Sequence, residues 1–186
     1  MNLFEVPVWV EKLNLDNLSL LTYCQQIKKE DKGLVKSNLT GWHSSPLQGQ
    51  HPKLNDLFNQ IEKTASCFAT QLGKKTSMRL IDIWININKF KDSNQLHFHP
   101  GCFLSGVYYI DVFENGGKIV FENPAQDVMV SNWDLDNMET FNTFNSPYYK
   151  LVPKIGDLIL FPSWLKHSVE PNMTQKERVS ISFNLS

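Results

Sequence analysis

The hydrophobic and polar positions of the chain change their period near residue 78. Before that point, apolar residues recur every three or four positions. After it, they recur at every second position or form short continuous runs. A period near 3.6 is typical of helices that cover a core, and a period of two is typical of half-buried strands. The sequence therefore predicts a helical first part and a larger second part made of strands.

Two helices are predicted in the first part. The first begins near Asp16, a favourable N-cap residue, and ends in the charged segment before Gly33. The second begins at Pro52 and ends at Gly73. Its apolar residues fall on one face, so we expect this helix to cover one side of a sheet.

Less regular segments surround these helices. Residues 3–10 are predicted to form an edge strand, because Pro7 removes a backbone donor. Residues 34–50 are predicted to be a loop, in which Trp42 and His43 either fold over a site or fix the loop in place. Residues 123–147 show no period and are predicted to be a long excursion, a kind of loop that is usually functional or mobile.

Strands dominate the second part, and they are predicted at 78–88, 97–99, 104–111, 118–121, 148–153, 157–161 and 177–185. An Asn-Gly-Gly segment at 115–117 predicts a hairpin between two of them. Two helices followed by seven or eight antiparallel strands predict a mainly β protein of the jelly-roll type.

Two of the long strands share an unusual pattern, with aliphatic residues on one face and polar residues on the other. On the strand at 177–185 the polar face consists of Arg178, Ser180, Ser182 and Asn184, and on the strand at 78–88 it consists of Asp82, Trp84, Asn86 and Asn88. Such a face is either half exposed to solvent or lines a polar cavity.

Composition bounds the class of protein. At 186 residues the chain is most simply one domain, with a supporting segment at 1–75 and a strand-rich core at 78–185. The formal net charge of −1 makes nucleic acid and anionic membranes unexpected partners. The three cysteines follow no CxxC pattern and are expected to be reduced thiols. With no visible signal peptide or membrane span, we expect a cytoplasmic protein, and its oligomeric state stays open.

Three histidines are candidates for a metal site. His97 and His99 are two residues apart, so on a strand both side chains leave the same face and can converge on one ion. His167 is distant in sequence, but antiparallel pairing can bring it opposite them. The alternative is that the pair lies on a solvated strand face and that His167 belongs to a surface turn.

Arg178 and Ser180 are candidates for binding an anion. They share the inward face of the last predicted strand, and an arginine fork binds a carboxylate through two hydrogen bonds. Beside a metal ion, this pair would suit a small dicarboxylate. The alternative is a weak surface ion pair of Arg178 with Glu177 or Glu170.

Four segments carry a family resemblance, namely HFHPGCFLSGVYYI, GGKIVFENP, GDLILFPSWLKHSVEPN and ERVSISFN. Taken in order, they resemble the iron(II)- and 2-oxoglutarate-dependent dioxygenases, and most of all a branch of small bacterial and phage oxygenases. The resemblance covers residues 78–185 strongly. It implies a double-stranded β-helix that uses Fe(II), 2-oxoglutarate and O₂ to hydroxylate a substrate, with release of succinate and CO₂.

The resemblance also implies roles for individual residues. His97 would be the first metal ligand and His167 the distal one, within a facial triad of two histidines and a carboxylate. Arg178 and Ser180 would bind the distal carboxylate of 2-oxoglutarate. This chain departs from the pattern at one position, because His99 stands where the family has the carboxylate.

The departure leaves two ligand sets open. Either His99 is the third ligand, or the site has only two histidines, since the nearest carboxylates, Asp92 and Asp111, lie outside the motif. The first set makes His97, His99 and His167 both the metal ligands and the catalytic centre.

Three functions are compatible with these residues. The leading hypothesis is a 2-oxoglutarate-dependent oxygenase that acts on a small molecule or a protein side chain, with Trp42 and residues 123–147 as candidate substrate cover. The second is a cupin-like three-histidine dioxygenase without 2-oxoglutarate, in which Arg178 binds a substrate carboxylate. The third is a non-catalytic metal- or small-molecule-binding module.

Overall fold

Ten strands form two antiparallel sheets in a computed structural model that describes residues 4–47 and 52–186. In chain order they are β1 (Trp9–Lys12), β2 (Trp42–His43), β3 (Leu80–Asn88), β4 (Asn94–His97), β5 (Leu104–Asp111), β6 (Ile119–Glu122), β7 (Tyr148–Leu151), β8 (Asp157–Pro162), β9 (His167–Val169) and β10 (Arg178–Leu185). The larger sheet has the order β1-β8-β5-β10-β3-β2 and the smaller one β4-β9-β6-β7. This is the predicted jelly roll, a double-stranded β-helix.

Three α-helices accompany the sheets, α1 (Asn17–Glu30), α2 (Asn55–Gln71) and α3 (Gln126–Asn132), with a 3₁₀ helix at Leu135–Asn137. The Asp16 side chain caps α1 as predicted, by accepting the backbone N–H of Ser19 at 3.1 Å. Both long helices contribute to one apolar core with the larger sheet. None of the helices in the described ranges is both long and apolar enough to cross a membrane.

The alternating pattern of β3 and β10 explains how the core and the cavity are separated. The two strands pair with Ile85 opposite Ile181 and with Asn86 opposite Ser180. The aliphatic residues in the middle of both strands, among them Ile85, Ile87 and Ile181, are fully buried in the core that the helices share, where each contributes about 1.5–3 kcal/mol of burial free energy. Ile81 near the start of β3 is half exposed. The polar residues of both strands face the smaller sheet. Most of the polar face predicted from the sequence therefore lines a cavity, whereas Asp82 at the start of β3 is exposed to solvent.

The beginning of the chain differs in detail from the prediction. β1 occupies an edge of the larger sheet, as Pro7 indicated, but it begins at Trp9 because the strand follows the proline. Residues 1–3 of the predicted strand and 48–50 of the predicted loop lie outside the described ranges. The short strand β2 forms within that loop by pairing with the edge of β3.

The predicted hairpin at Asn-Gly-Gly is wrong. The turn residues have the expected positive φ angles, 62° at Asn115 and 91° at Gly117, but β5 and β6 belong to different sheets. Turn chemistry fixes the local backbone, and the pairing of the flanking strands is decided by the rest of the fold. This connection therefore carries the chain from the larger sheet to the smaller one.

The excursion at 123–147 contains α3 and the 3₁₀ helix, which the sequence analysis did not predict. It leaves from β6 and returns at β7, and these two strands pair up to its base, with Glu122 opposite Tyr148. The backbone N–H of Asn123 donates to Pro147 O at 2.9 Å and closes the base. The excursion is thus an insertion between two strands of the smaller sheet that pair directly with each other.

Candidate metal and anion site

Pairing of β4 with β9 brings two of the candidate histidines together. His97 is the last residue of β4 and His167 the first of β9, and the two are direct cross-strand partners. His99 lies beyond the end of β4, so the predicted strand at 97–99 is wrong in extent. The backbone N–H of His99 donates to Ser163 O at 2.9 Å and holds it beside the other two. The ring centroids are 4.4–5.2 Å apart.

The donor atoms of the three histidines fit one metal ion. One ring nitrogen from each lies within 4.8 Å of the others. Two nitrogens that each bind an ion at about 2.0–2.1 Å are at most about 4.2 Å apart, so a small side-chain rotation completes the set. His97 Nδ1 donates to Gln95 O at 2.8 Å and His167 Nδ1 to Leu165 O at 2.9 Å. A carbonyl only accepts, so Nε2 of each ring keeps its lone pair for a metal.

Burial also keeps these imidazoles neutral. Desolvation is the main cause that lowers the pKa of His167 to about 3 and the pKa of His99 to about 4, and the neighbouring His97 lowers both further. The carboxylate of Asp82 raises the pKa of His99 and so partly offsets this lowering. Desolvation likewise lowers the pKa of His97. Neutral imidazole is the form that binds a metal, so the cluster is ready to coordinate at neutral pH.

Arg178 lies at the closed end of the same cavity. Only 2% of its surface is exposed, and its Nη1 donates to Gly116 O at 2.5 Å and to Glu170 O at 3.3 Å. The alternative of a surface ion pair with Glu177 or Glu170 is wrong, because the carboxylates of both pair with lysines. Burial lowers the pKa of Arg178, yet a guanidinium stays protonated at neutral pH. Among the residues that the structure describes, Arg178 forms no ion pair, so the cavity contains a buried positive charge.

Gly117 allows the chain to pass close to this arginine. Its φ is 91°, and a Cβ built there would lie 2.5 Å from Arg178 Nη1 and in collision with Glu170 O. A larger residue would thus be strained and would push the guanidinium away from its carbonyl partners. The second glycine of the Asn-Gly-Gly segment is consequently part of the surroundings of Arg178 and of the candidate anion site.

Ser180 lines the cavity with Arg178, and Tyr109, Asn86 and Asn88 are among the other polar residues that do so. Tyr109 on β5 is 1% exposed, and its pKa is raised to about 12, mainly by burial and against the opposing charge of Arg178. Asn86 and Asn88 lie opposite Ser180 and Arg178 on β3. Tyr109 was missed because it lies within a continuous apolar run. The two asparagines were visible on the polar face of their strand.

Trp42 fixes the loop in place, and His43 is separated from His99 by the ring of Trp84. Trp42 Nε1 donates to Asp31 O at 3.0 Å, which is the second of the two predicted roles. The His43 ring stacks on Trp84 at 5.5 Å and 9°, and Trp84 in turn lies 5.7 Å from His99. Neither Trp42 nor any described residue of 123–147 lines the cavity.

Solved structures with the same architecture include several oxygenases. A prolyl-4-hydroxylase from Pseudomonas putida is 13% identical, with 97% of this chain and 92% of that chain covered and a TM-score of 0.69. A collagen prolyl hydroxylase from Paramecium bursaria Chlorella virus-1, solved with 2-oxoglutarate, is 14% identical, with 95% of each chain covered and a TM-score of 0.60. At these identities the likeness establishes the fold.

A third similar structure is an epimerase of nogalamycin biosynthesis in complex with Fe³⁺, α-ketoglutarate and nogalamycin RO. It is 16% identical, with 97% of this chain and 78% of that chain covered and a TM-score of 0.70. A search of curated protein sequences found no match to this chain.

The family assignment comes from the sequence of the strand-rich part. Residues 82–184 match the family described as "Putative 2OG-Fe(II) oxygenase", which is more than half of the chain. The matched range contains all three histidines, Arg178 and Ser180. Enzymes of this family depend on Fe(II) and 2-oxoglutarate and use O₂ to oxidise a substrate. The chain belongs to the 2OG-Fe(II) oxygenase family.

Proposed function

We propose that the protein hydroxylates an organic substrate at a metal held by His97, His99 and His167, with 2-oxoglutarate anchored at Arg178. The observation that carries this proposal is the placement of three neutral imidazoles and one buried guanidinium in a single cavity. When bound, the metal centre supplies an oxidation in which O₂ and 2-oxoglutarate yield succinate and CO₂ while a substrate C–H becomes C–OH.

The histidines have the task of presenting lone pairs in a fixed direction. The backbone acceptors at Gln95 and Leu165 fix the tautomers of His97 and His167, and the close cross-strand pairing fixes their separation. His99 takes the position of the family's carboxylate. Three neutral ligands leave the full charge of +2 on the ion, so we expect a dianionic cosubstrate to be held tightly.

The closed end of the cavity has the task of binding the distal carboxylate of 2-oxoglutarate. Both hydrogen bonds of Arg178 use Nη1, so its other N–H groups can serve a bound anion. The hydroxyls of Ser180 and Tyr109 line the same end and can donate further hydrogen bonds. Phe161 and Ile119 are buried apolar residues that line the same cavity, and we expect them to keep water away from the bound cosubstrate.

The decisive experiment measures first the binding of 2-oxoglutarate to the Fe(II)-loaded protein and then its consumption. Under anaerobic conditions, 2-oxoglutarate should bind to the Fe(II)-loaded protein with a visible charge-transfer absorption. After O₂ is admitted, 2-oxoglutarate should be consumed and succinate should form in equal amount, slowly without substrate and faster with it. Iron binding without any binding or consumption of 2-oxoglutarate would contradict the proposal.

His99 favours a second candidate function, a three-histidine dioxygenase that does not use 2-oxoglutarate. In that enzyme Arg178 would bind a carboxylate of the substrate itself. O₂ uptake that depends on Fe(II) but leaves 2-oxoglutarate unchanged would identify this activity. If the loaded protein consumed neither O₂ nor 2-oxoglutarate under any condition, a non-catalytic binding module would be the better description.

A further inference from the structure

The surface next to the histidines differs in charge from the interior of the cavity. Along β3, the exposed Asp82 and the half-buried Trp84 stand on the same face as Asn86, which lines the cavity. Asp82 pairs across the sheet with Asn184, six residues along β10 from Arg178. Asp82 does not line the cavity itself, but it lies close enough to His99 to raise the pKa of that residue. A negative group therefore stands near the histidines, and a positive group, Arg178, lies inside the cavity.

The Asp82 carboxylate is oriented by a chain of buried side chains. Ser105 Oγ donates to Asn184 Oδ1 at 2.8 Å, and Asn184 Nδ2 donates to Asp82 Oδ2 at 3.4 Å. Ser105 and Asn184 are 1% and 6% exposed. Because the hydroxyl donor occupies the amide oxygen, the amide N–H group of Asn184 faces the carboxylate. Within the described ranges, no lysine or arginine forms an ion pair with Asp82.

Trp84 presents an aromatic surface beside this carboxylate. Its ring is supported by the parallel ring of His43, whose Nδ1 bonds to Ser44 O at 2.7 Å. Burial is the main cause that lowers the pKa of His43, so no positive charge stands behind the indole at neutral pH. A tryptophan face attracts cations through its quadrupole, and a neighbouring carboxylate strengthens that preference.

We propose that Asp82 and Trp84 bind an organic cation, an ammonium or guanidinium group carried by the substrate. This inference rests on the oxygenase function proposed above and names its class of substrate. The Trp84 ring lies 5.7 Å from His99, so a carbon chain attached to the bound cation can extend toward the histidines. A lysine or arginine side chain of a protein and a free polyamine or guanidine metabolite share this chemistry.

The test is a calorimetric titration of the anaerobic Fe(II)–2-oxoglutarate protein with two probes that differ by one charged group. N-acetyl-lysine methylamide should bind about tenfold tighter than N-acetyl-norleucine methylamide, the scale of a charge-assisted contact supplemented by a cation–π contact. Asp82→Asn should remove this preference. Asp111→Asn, which removes a carboxylate at the opposite end of the larger sheet, should retain it.

Three results would overturn the inference: equal binding of both probes, binding of neither, or a preference that survives in Asp82→Asn. N-acetyl-arginine methylamide and agmatine, titrated in the same way, separate a residue within a protein from a free metabolite. Iron content and 2-oxoglutarate affinity should be unchanged in Asp82→Asn. If the parent protein fails to bind iron or 2-oxoglutarate, the proposed function fails, and repeating the titration without metal still tests the cation site.

Discussion

The closed end of the cavity and its histidine end are built from different kinds of strand. Arg178 stands on β10, an eight-residue strand that pairs with β5 on one side and β3 on the other. His97 and His167 stand on β4 and β9, which have four and three residues, and β4 is the edge of its sheet. The pairing of β4 with β9 is also irregular between Asn94 and His97.

Because of this difference, we expect the arginine end of the site to be rigid and the histidine end to be able to adjust. The guanidinium of Arg178 donates to two backbone carbonyls, and its residue belongs to a strand that is paired on both sides, so we expect it to be the more rigid part of the site. The histidines belong to short segments with few ladder bonds, which can adjust when an ion draws the rings together. We therefore expect variants at the two ends to affect different ligands and to be largely independent of one another.

The largest effect is expected at the histidine end. His167→Ala removes a ligand whose cross-strand partner is His97, and iron affinity should fall on the order of a hundredfold or more. Metal content after equilibrium dialysis measures the change, and circular dichroism checks that the fold is kept. Ser168→Ala, one residue further on the same strand, is the matched control and should bind iron normally. Full retention of iron by His167→Ala would refute the ligand set.

The next effect is expected at the closed end. Arg178→Ala removes a charge-assisted contact that costs about 2–5 kcal/mol in a buried site, so 2-oxoglutarate affinity should fall about thirtyfold or more while iron binding stays normal. Arg178→Lys keeps the charge without the planar fork and should give an intermediate affinity. Loss of iron from either folded variant would show that the two ends of the cavity are coupled rather than independent.

A smaller effect is expected at His99, the residue that replaces the family's carboxylate. His99→Ala should lower iron affinity about tenfold, the scale seen when a partner in a metal site is removed. His99→Asp should retain iron, since it restores the carboxylate of the family pattern, and it should weaken 2-oxoglutarate binding because the ion then carries less net charge. If His99→Ala binds iron as well as the parent, the site has two histidines only.

The smallest effect is expected at Gly117, which contacts Arg178 but does not itself bind a ligand. In Gly117→Ala the new methyl group would crowd the guanidinium, so 2-oxoglutarate affinity should fall several-fold with iron affinity unchanged. Gly73→Ala imposes the same backbone strain at a φ of 84° with no atom within 4 Å, and it serves as the control. Equal 2-oxoglutarate affinities in the two variants would mean that contact with Arg178 is unimportant.

The parts of the fold that could be predicted are those in which one side of an element is buried. The alternation of β3 and β10 and the apolar face of α2 are direct consequences of packing on a single core. β2 and β9 were not predicted, because strands of two or three residues carry no measurable period. Their existence depends on the neighbours with which they pair, and that information lies elsewhere in the chain.

The candidate site was predicted in its polar members and missed in its aromatic ones. His97, His167 and Arg178 are conspicuous, because a charged or polar residue on an inward-facing strand needs a partner. Tyr109 has the same position but appears in the sequence as one of several apolar residues in a row. Asp82 was visible on its strand, and only the hydrogen bonds from Ser105 through Asn184 give it an orientation.

The central place of β10 in the larger sheet has a consequence for synthesis on the ribosome. This strand separates β5 from β3, so a nascent chain that has emerged only to residue 177 has two incomplete half-sheets with unpaired edges. His97, His99 and His167 are all made before Arg178. The nascent chain therefore acquires the three candidate metal ligands before it acquires the arginine that we propose as the anchor of 2-oxoglutarate.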